Sequence, residues 1–143
     1  MECFSNYAAQ ELTMCKLFIN ASPDLWQAST RSVRIDGMVT SVRLEQYFWR
    51  VLDEIAGRDS LTLPEMLSRL YRESIEAEHN LGNFASFLRV CAIRYLELQM
   101  TGDIPMQPDI SIASLDADNI LMNESQRHVV NGWSKLESRN SIF

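Results

Sequence analysis

No apolar run in this chain approaches the ~20 residues that a helix needs to cross a bilayer. The opening, MECFSNYAAQEL, lacks both the basic start and the continuous apolar block of a secretory signal. Cysteine is scarce. Cys3, Cys15 and Cys91 are odd in number and lack any CxxC spacing, which fits reduced thiols in a cytoplasmic protein. Cys91 falls within an apolar helical pattern and is expected to be a small core residue. His79 and His128 lie in different segments, with no Cys or carboxylate at metal-ligand spacing, and His79 reads as an exposed residue near a helix end. The five glycines form no phosphate loop or nucleophile elbow, and no HExxH occurs. The expectation is a non-enzyme without metal or cofactor.

Positive charge is also in short supply. Thirteen Lys and Arg stand against nineteen Asp and Glu, for a net charge of −6 and a pI near 4.9. Such a balance argues at first against nucleic acid. Its distribution reverses the argument locally. Between Thr30 and Arg50, Arg31, Arg34, Arg43 and Arg50 face only Asp36 and Glu45, a local +2. Between Thr101 and Phe143, six acids face three bases, a local −3. The acidity therefore sits disproportionately in the C-terminal tail.

What remains is the composition of a globular chain: 143 residues, 46% of them hydrophobic, the length of one domain with perhaps a tail. Residues 1–14 read as a loose arm or short helix. CKLFI, 15–19, suits a short strand, and NASPDLWQAST a loop anchored by Trp26. In RSVRIDGMVTSVRLE, Asp36-Gly37 between β-branched runs is a hairpin signal, because a type I′ turn needs positive φ at both central residues. With those two as the loop, Ile35 opposes Met38 and Arg31 opposes Val42. Alternation then puts Val33, Ile35, Met38, Thr40, Val42 and Leu44 on one face. The other face carries Thr30, Ser32, Arg34, Val39, Ser41 and Arg43.

The remainder has helical period. Tyr47, Phe48, Val51, Leu52 and Ile55 form a stripe ending near Gly57. Thr62 to Glu65 has capping-box spacing, with Pro64 tolerated in the first turn, before Met66, Leu67, Leu70, Tyr71 and Ile75. After HNLGN, a helix from about Asn83 to Gln99 carries Phe84, Phe87, Leu88, Cys91, Ala92, Tyr95 and Leu96. Beyond Gly102, prolines and scattered acids suggest a linker. A short amphipathic helix follows, with Ile120, Leu121, Val129, Val130 and Trp133 available to dock.

A two-stranded ribbon fits the DNA major groove, where arginine can bind guanine O6 and N7 together. The blocks RSVRIDG, TSVRLE, the FW in the first helix and GNFASFLRV resemble the ribbon-helix-helix proteins. More narrowly they resemble a bacterial subgroup with R-S-[VL]-R-I-x-G, T-S-V-R-L-E and G-N-[FLT]-x-S-x-L-R-V motifs. The match spans about residues 31–99, and CKLFINASPDLWQAST is similar to the leader of longer members. The resemblance implies a mainly α fold with a short β-ribbon, in which a hairpin or strand precedes three helices and two chains intertwine as an obligate homodimer. On this implication residues 31–100 bind DNA and dimerise, 1–30 form a leader, and 101–143 an acidic tail.

By the same resemblance, Ser41, Arg43 and Val39 face base edges, whereas Val33, Ile35, Val42, Leu44, Phe48 and Leu52 build the dimer core. Arg31, Ser32 and Arg34 then support or touch the DNA backbone. A phosphate clamp is expected at Ser60, Leu61 and Thr62, using backbone amides and hydroxyls. Asp59 and Glu65 flank that clamp. The implied function is a cytoplasmic, sequence-specific transcription regulator of a two-fold operator. Two alternatives stand beside it: an antitoxin-like repressor whose tail binds a protein partner, and a protein–protein adaptor that has lost DNA binding.

Overall fold

The computed structural model describes residues 15–79 and 82–130, so the expected N-terminal arm and Trp133 lie outside the described residues. Two strands, β1 (Ala28–Ile35) and β2 (Met38–Glu45), form one antiparallel pair. Four helices follow: α1 (Gln46–Arg58), α2 (Leu63–Glu76), α3 (Phe84–Met100) and α4 (Ala117–Val130). Asp36 and Gly37 both have positive φ, 48° and 81°, as a type I′ turn demands. The register follows from the turn. Ile35 opposes Met38, Ser32 opposes Ser41 and Ala28 opposes Glu45.

Alternation along the hairpin then sorts the side chains. Val33, Ile35, Val42 and Leu44 are buried, whereas Arg34, Val39, Ser41 and Arg43 are exposed. Met38 and Thr40 have the apolar parity but lie near the hairpin tip, and both are exposed. α1 buries Trp49, Val51, Leu52, Ala56 and Arg58, while Tyr47 is exposed and Phe48 and Ile55 are half-buried. Its inner face is thus rotated toward Trp49 relative to the expected stripe. The cause is a tertiary contact: the Trp49 indole N–H donates to the Ser29 carbonyl at 3.0 Å, which satisfies its polar edge and lets the ring bury completely. Gly57 lies inside the helix, which runs one residue further, to Arg58.

α2 starts as its sequence requires. The Thr62 hydroxyl accepts from the Glu65 amide, and the Glu65 carboxylate accepts from the Thr62 amide. Asn83 caps α3 by accepting from the Ser86 amide. α3 is apolar on more than one side. Leu88, Ala92, Tyr95 and Leu98 face the core, but Val90, Ile93, Leu96 and Met100 are exposed. None of the described helices is long and apolar enough to cross a membrane.

Several segments differ from expectation. Residues 15–19 are helical rather than extended, with Asn20 N–H donating to the Lys16 carbonyl at 3.1 Å. Leu17, Phe18 and Ile19 are exposed, so the apolar triplet that suggested a strand faces none of the described core. Trp26 ends a short 3₁₀ turn (Pro23–Trp26) and is also exposed. Cys15 is disulfide-bonded, so reduced thiols do not hold throughout; Cys91 is free and half-buried.

The C-terminal segment is packed rather than loose. Ile104 is buried, and Ile112, Leu115 and Ile120 pack on the same core. α4 is tied to α3 by Arg94, whose guanidinium donates to both oxygens of the buried Glu124 at 2.9 and 2.6 Å. Arg127 pairs with Asp103 at 2.8 Å. Leu121 and Val129 remain exposed on α4.

Candidate nucleic-acid interface

The outward face of the hairpin presents Thr30, Ser32 and Arg34 from β1, opposite Arg43, Ser41 and Val39 from β2. What distinguishes it is which charges are already engaged. Arg31 falls on the inner face, where its guanidinium lies 4.8 Å from the centre of the Trp49 ring and 3.7 Å from Asp53. Asp36 at the tip is 4.0 Å from Arg72. Glu45 at the end of β2 is held by Arg89 of α3 through two hydrogen bonds, 2.9 and 3.2 Å. Those bonds hold the Glu45 carboxyl below its ordinary value, so it stays ionised and neutralised by its partner. Arg34 and Arg43, by contrast, form no ion pair among the described residues. The outward face therefore carries guanidinium groups that form no ion pair among the described residues, beside hydroxyl groups.

At the start of α2 the amides are spent. Ser60 N–H donates to the Gly57 carbonyl at 3.2 Å and Leu61 N–H to the Ala56 carbonyl at 3.0 Å. Thr62 N–H goes to Glu65 at 2.8 Å. Ser60 has a φ of 56°, costly for a non-glycine residue, and both it and Thr62 are exposed. A phosphate approaching here would meet hydroxyl donors rather than the free amides expected from sequence. It would also meet the Glu65 carboxylate, which its bonds from Thr62 hold below the ordinary range.

Of the residues assigned to a dimer core, Val33, Ile35, Val42, Leu44 and Leu52 are buried within the single chain, with Phe48 half-buried against them.

Sequence reasoning missed Arg58. It is 5% exposed, has no carboxylate partner among the described residues, and fans out to four acceptors. Nε donates to the Ile110 carbonyl at 3.1 Å, Nη1 to the Tyr95 hydroxyl at 3.2 Å, and Nη2 to the carbonyls of Pro105, at 2.6 Å, and Gln107. Next to it, the Asp59 carboxylate accepts from the Ser111 hydroxyl and, at 3.4 Å, from the Ala113 amide. Residues 105–113 thus grip the loop that leads to Ser60 and Thr62. The acceptors of Arg58 lie 37 to 52 positions downstream, so no local pattern could have signalled them. Among the described residues no cluster of three or more His, Cys, Asp or Glu is placed to hold a metal.

A hairpin whose outer face is polar and basic, followed by packed helices, defines a ribbon-helix-helix domain, and a domain of that description matches residues 28–96. The chain belongs to the ribbon-helix-helix family, a fold of dimeric DNA-binding regulators. Among solved structures it is similar to an uncharacterized protein from Bordetella pertussis Tohama I. That similarity has 46% identity and a TM-score of 0.72, covering 76% of this chain and 86% of that one. No curated protein matches.

Proposed function

We propose that this chain is a sequence-specific transcription regulator, acting in the cytoplasm as a homodimer that presents its hairpin to the major groove of a pseudo-palindromic operator. The observation that carries the reading is the pairing pattern of the hairpin charges. Arg31, Asp36 and Glu45 are engaged inside the chain, while Arg34 and Arg43 are left unpaired on one exposed face with Ser32 and Ser41. Exposed apolar side chains on Met38, Ile75, Val90, Ile93 and Met100 support self-association. In this reading Arg43 and Ser41 meet base edges, Val39 offers an apolar contact, and Arg34, Ser32, Ser60 and Thr62 meet the backbone. Arg31 supports them from the inner face through Trp49. Residues 31–100 act as the DNA-binding and dimerising unit, flanked by the 1–30 leader and the 101–143 tail.

A bidentate Arg43–guanine contact is worth about 1–3 kcal/mol of discrimination. Arg43→Ala should therefore relax preference at one position of sites selected from sheared genomic DNA at two salt concentrations. Unchanged affinity and preference in a folded, dimeric Arg43→Ala protein would remove Arg43 from the interface. Absence of any salt-sensitive enrichment by the native chain would instead favour the adaptor. The exposed Leu121, Met122 and Val129 of α4 favour a second, compatible reading, in which the tail holds a protein partner.

A further inference from the structure

Between α1, α2, α3 and the strap of residues 103–113 lies a cavity of about 370 Å³. That is the small end of the roughly 300–1,000 Å³ typical of ligand pockets, room for a compact metabolite rather than a peptide. Its floor is apolar. Leu52 of α1, Met66 of α2, Leu98 of α3 and Ile104 of the strap all line it and are each no more than 6% exposed. Its wall also carries four charged residues, Asp59, Arg69, Glu73 and Arg94, two of each sign.

Two of the four are engaged. Asp59 accepts from the Ser111 hydroxyl and the Ala113 amide, and Arg94 donates to both oxygens of Glu124. Arg69 and Glu73 differ. They stand one turn apart on α2, both are exposed, and neither forms an ion pair among the described residues. Glu65, one turn before Arg69, is occupied by the Thr62 amide. The cavity thus combines a buried apolar end with a rim that offers one cation and one anion. Positions four apart on a helix have Cβ atoms ~5–6 Å apart, so one small headgroup can reach both. A ligand with a single charge would be attracted by one rim residue and repelled by the other. A ligand with both charges on adjacent atoms is attracted by both.

We propose that this cavity binds an apolar α-amino acid, its carboxylate on Arg69, its ammonium on Glu73 and its side chain over Leu52, Met66 and Leu98. Burial of the side chain supplies affinity, and the two charge-assisted contacts supply selectivity. The occupant also meets the loop that leads into α2. Asp59 and Leu61 line the cavity and flank Ser60, while Ile112 and Ala113 line it from the strap that holds Asp59. On the regulator reading above, this contact makes the amino acid an effector of DNA binding; the cavity itself does not depend on that reading.

Calorimetric titration of the full chain without DNA tests the site. Among leucine, methionine, phenylalanine and tryptophan, at least one should bind saturably at about 1 mM or below. For the tightest of them, the counterparts lacking the amino group or the carboxylate (4-methylpentanoate and 3-methylbutylamine for leucine) should each bind about tenfold more weakly. Arg69→Ala should weaken the amino acid but not the amine, and Glu73→Ala the amino acid but not the acid. Glu76→Gln, exposed on the same helix outside the cavity, should bind like the native chain. No saturable binding by any of the four, equal binding of the amino acid and its deaminated counterpart, or unchanged affinity in Arg69→Ala would overturn the proposal. In a second arm, saturating amino acid should shift the affinity for selected duplexes about fivefold or more. An unchanged duplex affinity would overturn the effector role. A chain that binds the amino acid but no duplex at low salt would remove the regulator reading and leave the cavity's ligand assigned.

Discussion

Arg58→Met separates two accounts of how the C-terminal segment is held. The wild-type guanidinium makes four hydrogen bonds, three of them to carbonyls in the segment 105–110. Hydrogen bonds from a charged donor are each worth about 1.5–3 kcal/mol. Against them stands the cost of burying a cation, several kcal/mol, because no carboxylate among the described residues pairs with it. Methionine removes both terms, keeps most of the apolar stem and leaves no opposite charge stranded. It does leave the three carbonyls without their donor, whereas the Tyr95 hydroxyl still accepts from the Gln99 amide at 3.1 Å. The bonds outweigh the desolvation in this setting, because Arg58 also stacks on Tyr95, 5.7 Å from the ring centre. A net loss of ~2–3 kcal/mol follows, or about 5–10 °C in Tm for a chain of this size. The loss should appear first as protease cleavage within residues 101–116, ahead of global unfolding, since Arg58 supplies three of the hydrogen bonds that hold this segment. Arg58→Lys should be intermediate, its ammonium lacking the planar fork that reaches all four acceptors. If Arg58→Met matched wild type in both Tm and protease resistance, apolar packing of Ile104, Ile112 and Leu115 would be sufficient and the guanidinium dispensable.

Two further predictions concern the core and its charges. Val42→Asp places an unpaired carboxylate among residues buried within one chain, so circular dichroism should report an unfolded protomer rather than a folded monomer; a folded monomer would return Val42 to a dimer interface. Glu124, held below its ordinary 4.5 chiefly by the hydrogen bond from Arg94, contributes stability present above 4.5 and lost as pH falls through the depressed value. Asp103, lowered from 3.8 first by Thr101 and then by Asn123 and Arg127, acts in the same direction. Acidification below about pH 4.5 should therefore release α4 before the hairpin core unfolds, read as amide exchange confined to residues 117–130; simultaneous exchange everywhere would refute the order.

The hairpin was legible from residues because its determinants are local. Two turn residues set the register, and period-two alternation then sorted the side chains to their faces, except that Met38 and Thr40 near the tip are exposed despite their apolar parity. The capping box at Thr62 and Glu65 was legible for the same reason. The rotation of α1 toward Trp49 was not, since it depends on a carbonyl twenty residues upstream, at Ser29. Arg31 was separated from Arg34 and Arg43 by parity alone, but its stacking on Trp49 required the helix to be in place. Composition gave no warning that residues 103–115 dock, although the helix after them was expected to. Prolines and acids suit a linker, and the residue that binds it, Arg58, sits in another helix altogether.

The type I′ turn at Asp36-Gly37 has a consequence for how such a protein can change. Once the turn has locked the register, Val33, Ile35, Val42 and Leu44 build the interior, while Arg34, Val39, Ser41 and Arg43, of the other parity, are exposed. Under the proposed base-reading role, substitutions at Ser41, Arg43 or Val39 would retune which sequence is preferred without renegotiating the fold. Inheritance of the scaffold and divergence of the target become separate evolutionary variables, written on alternate letters of the same eight-residue strand.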